Sequence, residues 1–197
     1  LLIDRHLGVD DPRRQHSAAL DDDARARAAA RLAETTDLPS LTPGAVVAGY
    51  WPIRGEIDPR PLMLRLALAG ARLALPVVAD DGERLIFRAW TPDTPLEPAA
   101  FGLSVPPAGA EELTPRLLLV PLAAFDAAGH RIGYGKGHYD RALARLDAAA
   151  PTLAVGLAFA VQQVAAVPAE PHDRPLDLVL TDAGPLRPAA QSAKDPQ

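Results

Sequence analysis

Residues 131–141 read RIGYGKGHYDR. Glycines at 133, 135 and 137 alternate with larger residues, directly before a stretch with helical character. Backbone N–H groups of glycines can turn toward a single anion, and the start of a helix adds favourable partial charge there. Arg131 and Lys136 supply full positive charges. The chemistry this pattern suits is a cradle for polyphosphate; the competing reading is a flexible turn with solvated charges. The order G-x-G-x-G differs from the dinucleotide pattern G-x-G-x-x-G, and no Ser or Thr follows Lys136 as a Walker loop requires, so both of those nucleotide classes are disfavoured. Lysine occurs at only two positions, 136 and 194, against 18 arginines, which makes a lysine inside the glycine run conspicuous.

Acidic residues stand near this run. Asp140 falls in the first turn of the expected helix, where a carboxylate beside bound phosphates suits Mg²⁺; it equally suits a helix-dipole acid or a partner of Arg141. The stretch HDRPLD at 172–177 offers Asp173 and Asp177 to the same sheet end, or as solvated or capping residues. In YWPIRGEID at 50–58, Asp58 reads as a helix cap, while Glu56 has no such local task and is the better site candidate. Trp51 and Tyr50 either stack on a flat ligand or pack. His138 is open to roles as base or ligand, or to neither.

These residues need a frame. Residues 21–34 (DDDARARAAARLAE) are helix formers with acids in the first turn. AVVAGY (45–50) reads as a buried strand after the turn TPG. Pro59 and Gly70 mark the start and end of a helix over 59–69, with Leu62, Leu66 and Ala69 on one face. RLALPVV (72–78) and RLIFRAW (84–90) form a hairpin around ADDGE. Six prolines in 91–116 exclude a helix or a central strand there, and so long a connection in a compact domain is often functional. LLLVPL (117–122) and TLAVGLAF (152–159) have the continuous apolar character of buried parallel strands. A helix is expected at 138–149, a short helix in VQQVAAVP (161–168), and a last strand at 177–181. The β-α-β order predicts an α/β fold, an open, mostly parallel sheet flanked by helices in a Rossmann-like three-layer arrangement with right-handed crossovers. The expected organisation is a single α/β domain over 1–184 with a polar tail at 185–197.

Composition sets the outer bounds. The 197 residues are 48% hydrophobic and 23% charged, ordinary globular values. The net charge of −5 argues against a nucleic-acid binder relying on a global basic field. The chain has no cysteine, which removes disulfides, thiolate metal sites and cysteine nucleophiles. The start LLIDRHLGVD has no signal-peptide character, and no uncharged apolar run reaches the length of a membrane span. The expectation is a cytoplasmic enzyme, a monomer rather than an oligomer, with no nucleic-acid or membrane partner.

The stretch VPLAAFDAAGHRIGYGKGHYDR resembles the central motif of the 5-formyltetrahydrofolate cyclo-ligase (methenyltetrahydrofolate synthetase) family: a strand ending in V-P, then A-F-D, a Gly, and R-[LI]-G-x-G-x-G-x-Y-D. GYWPIRGEID is similar to its earlier block ending in E-I-[DE], and VPAEPHDRPLDLVLTD to its C-terminal block. The resemblance runs from about 45 to 182 with order and spacing kept. It implies a ligase that forms a C–N bond, with ATP as co-substrate, Mg²⁺ as cofactor and a reduced folate as substrate. The implied reaction phosphorylates the formyl oxygen of 5-formyltetrahydrofolate. Ring closure then gives 5,10-methenyltetrahydrofolate, ADP and phosphate.

The resemblance also implies roles for particular residues. Arg131, Ile132, Gly133, Tyr134, Gly135, Lys136, Gly137, His138 and Tyr139 would form the ATP loop, with Phe101 near the nucleotide. Lys136, Arg131 and Tyr139 would take the catalytic roles. Trp51, Glu56, Tyr134, Gly135, Lys136, Gly137 and His138 would meet the folate, and Asp140 and Asp173 the metal. Two departures stand out. The family's opening K-x-x-L-R has no counterpart in LLIDRHLGVDDPRRQHS, where Arg5, Arg13 and Arg14 fall out of frame. His138 replaces a commoner Tyr. The alternatives are therefore a catalytically impaired folate- or nucleotide-binding relative, or a sugar-phosphate enzyme on a similar sheet.

Overall fold

The computed structural model describes residues 20–53, 55–99, 103–133, 135, 137–170 and 173–189. Residues 1–19 (with Arg5, Arg13 and Arg14), Phe101, Tyr134 and Lys136 lie outside the described residues.

Seven strands form the central sheet: β1 (Val46–Ala48), β2 (Arg72–Val78), β3 (Leu85–Ala89), β6 (Leu117–Pro121), β9 (Leu153–Ala158), β10 (Leu178–Thr181) and β11 (Gly184–Leu186). Their order across the sheet is β11-β10-β9-β6-β1-β2-β3. The five inner strands are parallel, and the edge strands β3 and β11 run antiparallel to their neighbours. Two small ribbons complete the strands, β4 (Glu97–Pro98) with β5 (Ser104–Val105) and β7 (Ala124–Phe125) with β8 (Arg131–Ile132). Helices α1 (Asp22–Ala33), α2 (Arg60–Leu68) and α3 (His138–Ala149) flank the sheet.

Alternation along the strands builds two cores, as period-2 side-chain geometry requires. Leu117 and Leu119 of β6, with Val155 and Leu157 of β9, join Ala28 and Leu32 of α1 and Leu62, Met63 and Leu66 of α2. Leu118 and Val120, with Ala154 and Ala158, join Ala142, Leu143 and Leu146 of α3 on the other face. Burial on both faces explains why these strands read as continuous apolar runs.

The chain leaves β1 through α2 to β2 on one side, and leaves β6 through α3 to β9 on the other. The strand order therefore reverses between the neighbours β1 and β6, and open α/β sheets bind ligands outside the strand C-termini at such a point. The segments beyond these two C-termini are 49–58 and 122–137, which hold Glu56 and the glycine run.

Local chemistry fixes the elements. The Asp21 side chain caps α1 by accepting from Ala24 N at 2.6 Å. Asp58 Oδ1 accepts from Arg60 N at 2.9 Å at the start of α2, whose range is one residue shorter at each end than expected. Asp81 accepts from the N–H groups of Glu83 and Arg84, closing the β2–β3 turn.

Two expectations need correction. The helix expected at 161–168 is a 3-10 turn at Ala160–Gln162 followed by extended chain. Val164 N donates to Phe125 O at 2.8 Å, so strand-like pairing with β7 wins over a helical turn. The expected polar tail at 185–197 begins as structure, because Pro185 and Leu186 belong to β11. Thr181 Oγ1 donates to Gly184 O at 2.7 Å across the turn, and Leu186 packs on the core.

Candidate active site

The β7–β8 ribbon carries the glycine run out from the end of β6. Ala123 N donates to Ile132 O at 2.7 Å, which sets the last residue before the glycines. Gly135 and Gly137 have φ of 79° and 61°, a left-handed backbone that glycine adopts without strain. Gly137 is the residue before α3, so the helix start opens at the loop, and Gly133, Gly135 and Gly137 lie on one short path leading to it. His138 and Tyr139 form the first turn with Asp140. Tyr139 is half-buried and packs against the α3-side core.

Arg131 is more deeply engaged than a phosphate ligand would be. Its side chain is 7% exposed and lies 2.7 Å from Asp140 Oδ1 through Nη2. Its Nη1 donates to Arg174 O at 2.6 Å. Asp140 Oδ1 also accepts from Arg174 N at 3.3 Å, which brings the backbone beside Asp173 against Asp140. Asp173 Oδ2 in turn accepts from Glu170 N at 2.7 Å. Asp140 and Asp173, expected together from the resemblance, thus stand at one corner, joined through the backbone of residue 174.

The start of α3 is also tied to the β2–β3 turn. His138 Nε2 lies 3.3 Å from Gly82 O, and Arg141 Nη2 donates to Glu83 O at 3.1 Å. At the neighbouring strand end, Glu56 Oε2 accepts from Ile53 N at 2.9 Å, folding 53–56 into a tight loop. Trp51 packs in the sheet-side cluster, edge-on to Trp90 with ring centroids 6.3 Å apart. The Arg60 guanidinium sits 4.5 Å above its ring and is held by two-pronged bonding to Asp58. One face of Trp51 is therefore covered by a cation. Tyr50 packs, donating its hydroxyl to Ile57 O at 2.7 Å.

Asp177 belongs to the frame. It is buried, its Oδ2 accepts from Ala154 N at 2.7 Å at the start of β9, and it pairs with Arg174. Arg174 also pairs with Asp147; burial disfavours its charge, but Asp177 and Asp147 outweigh this and raise its pKa. Three further residues shape the site beyond those expected from the sequence. Nothing in their local sequence sets Arg60 and Arg174 apart from the other arginines. Asp126 is 4% exposed and takes the N–H groups of Ala128, His130 and Val167 at 2.9–3.0 Å, with His130 Nδ1 at 3.2 Å. Burial works against its charge, yet those N–H groups and His130 hold the carboxyl below its usual range. The spacing D-x-x-G-H before the glycine run was the available signal for Asp126.

Among the described residues no group of three His, Asp or Glu side chains stands ready to hold a metal, and no helix is long and apolar enough to cross a membrane. Mg²⁺ needs only one or two carboxylates, with water and phosphate oxygens completing its shell, so the Asp140–Asp173 corner fits that ion.

The fold is that of a doubly wound α/β protein with a glycine-rich loop at the switch of strand order. The sequence profile described as the 5-formyltetrahydrofolate cyclo-ligase family matches residues 11–182. The 5-formyltetrahydrofolate cyclo-ligase of Haemophilus influenzae is 35% identical over 135 residues, 66% of this chain and 72% of that protein. The cyclo-ligase of Escherichia coli K12 is 33% identical over 148 residues, 73% and 81% of the two chains. The solution structure of Aquifex aeolicus 5,10-methenyltetrahydrofolate synthetase superposes with a TM-score of 0.70 at 30% identity, covering 94% of this chain and 91% of that one. This chain belongs to the 5-formyltetrahydrofolate cyclo-ligase family, a family of ligases.

Proposed function

We propose that the protein converts 5-formyltetrahydrofolate to 5,10-methenyltetrahydrofolate in an ATP- and Mg²⁺-dependent reaction. The observation that carries this reading is the placement of the glycine run and the Glu56 loop beyond the C-termini of adjacent strands β6 and β1, where the strand order reverses. In this reading a phosphate cradle and a substrate loop follow neighbouring strands of the sheet.

The terminal phosphoryl group of ATP passes to the formyl oxygen, and ADP departs. The folate's 10-nitrogen attacks the activated carbon, its proton is lost, and the C–O bond to phosphate breaks. In phosphoryl transfer the protein contributes mainly position and charge. The glycine N–H groups and Lys136 take the phosphates, with Ile132 and Tyr139 framing the loop and Phe101 lining the nucleotide side. Arg131 acts by holding Asp140 and residue 174 in place. Asp140 and Asp173 would hold Mg²⁺, which would supply charge neutralisation on the phosphates. Glu56 and Trp51 orient the folate along the edge formed by Tyr134 to His138. The second step is intramolecular, so a fixed folate pose provides much of its acceleration. The working unit in this reading is a cytoplasmic monomer.

Three substitutions test the reading: Glu56→Ala, Lys136→Ala and Asp140→Ala. Each is expected to lose turnover by 100-fold or more, on the order of one removed transition-state contact, while the protein stays folded. Unchanged turnover in all three overturns the site assignment.

A further inference from the structure

Four polar or charged residues are buried among the described residues: Asp126, Thr152, Gln162 and Asp177. Thr152 and Asp177 tie the start of β9, at the sheet end away from the crevice. Asp126 and Gln162 both grip the loop at the crevice end. Gln162 stands in the turn after β9 and is 6% exposed. Its Oε1 accepts from Phe159 N at 2.7 Å, and its Nε2 donates to Leu122 O at 3.0 Å and Ala123 O at 3.1 Å. Both amide donors and the acceptor are thereby used.

Ala123 is the residue whose N–H donates to Ile132 O at 2.7 Å. Two hydrogen bonds therefore lead from the Gln162 side chain to the last residue before Gly133. Asp126 and Val164 bind the same ribbon to the same segment, through Val167 N at 2.9 Å and Phe125 O at 2.8 Å. An apolar side chain at 162 would take away the bonds to the Leu122 and Ala123 carbonyls and to the Phe159 N–H, and a buried polar group left unpaired costs more than the lost bond alone.

We propose that Gln162 is a positioning residue for the nucleotide loop. It fixes the height and direction of the glycine run relative to the sheet without touching ligand. This rests on the reading of that loop as the ATP cradle. The loop's N–H groups must meet phosphate oxygens at hydrogen-bond distance, so a shift of about 1 Å at Ile132 lowers productive binding of the nucleotide. The folate is also held by segment 49–58 beyond β1, which Gln162 does not bond, so its binding depends less on Gln162 than nucleotide binding does.

The test measures equilibrium binding of Mg·ATP and of 5-formyltetrahydrofolate, with the melting temperature, for wild type, Gln162→Leu and Gln162→Glu. In Gln162→Leu the ATP dissociation constant is expected to rise about 10-fold or more, with a smaller rise of about three-fold or less in the folate constant, because segment 49–58 still holds the folate. Gln162→Glu has a built-in rescue. A protonated carboxyl donates one hydrogen bond to the Leu122 and Ala123 carbonyls and still accepts from Phe159 N, and burial raises a carboxyl's pKa. Its ATP affinity relative to wild type is therefore expected to recover as pH falls from about 8 to about 6. Equal weakening of ATP and folate marks a purely structural role and overturns the proposal. ATP affinity within two-fold of wild type in folded variants does the same. If Gln162→Leu does not fold, a pH-independent ATP affinity ratio in Gln162→Glu is the overturning result. Wild type that binds no Mg·ATP removes the cradle reading and the proposal with it, whereas normal wild-type binding with unaffected variants removes the proposal alone.

Discussion

Replacing Arg131 with Met should destabilise the fold by an amount the structure makes calculable. The guanidinium makes one charge-assisted bond to Asp140 Oδ1 at 2.7 Å and one bond to Arg174 O at 2.6 Å. Both bonds have the charged guanidinium as donor, and such a hydrogen bond contributes about 1.5–3 kcal/mol. The Asp140 side chain is 23% exposed, so water replaces part of what it loses. The lower half of the range applies, giving about 3–4 kcal/mol in total. In a chain of this size each kcal/mol moves the melting temperature by about 2–4 °C, so a fall of about 6–16 °C is expected. The assay is a double-mutant cycle on Arg131→Met and Asp140→Asn by urea unfolding, which isolates the pair. The expected coupling is about 1–2 kcal/mol. A coupling under about 0.5 kcal/mol would show that the pair does not hold the loop to the helix, and the positioning role assigned to Arg131 would fall.

Three other outcomes follow from single residues. Gly137→Ala places a Cβ on a backbone at φ 61° and 3.1 Å from Arg141 Nη1; the strain costs about 1–2 kcal/mol, and titration with Mg·ATP should show weakened binding, with folate binding weakened less because segment 49–58 still holds it. Asp126 has a folded pKa below its ordinary value, so its stabilisation is full above the unfolded carboxylate pKa of about 4 and is lost as pH falls through the folded value. Melting temperatures across acid pH should therefore drop less steeply in Asp126→Asn than in wild type, from a lower starting point at neutral pH. Glu56→Gln keeps the acceptor for Ile53 N but loses the charge; its folate affinity should fall with ATP affinity unchanged, as separate calorimetric titrations would show.

The frame was legible because burial on both faces leaves continuous apolar runs, and LLLVPL and TLAVGLAF could only be inner strands. Helix starts were equally plain, since Asp21, Asp58 and the glycine before His138 are local signals. The pairing of Gln163 and Val164 with Phe125 was hidden, because the partner is far away in sequence and propensity carries no information on such a pairing. β11 was hidden for the same reason: GPL reads as tail until Thr181 and β10 supply the partner. In the candidate site, types and spacing singled out the glycine run, Glu56 and Asp140, and left Asp173 and Asp177 as alternatives that only the resemblance separated. What spacing could not give was which partner each side chain takes. Arg131 faces Asp140 and the 173–175 backbone, Arg60 covers Trp51, and Asp126 is buried, all through contacts set by the fold.

The most direct measurement mixes the purified protein with 5-formyltetrahydrofolate, Mg²⁺ and ATP, and follows the near-ultraviolet absorbance of the methenyl product beside phosphate release. The expected result is growth of that band that requires ATP and Mg²⁺, with one phosphate released per methenyl group formed. Folded protein that binds ATP and folate but yields neither product nor phosphate would contradict the proposed reaction.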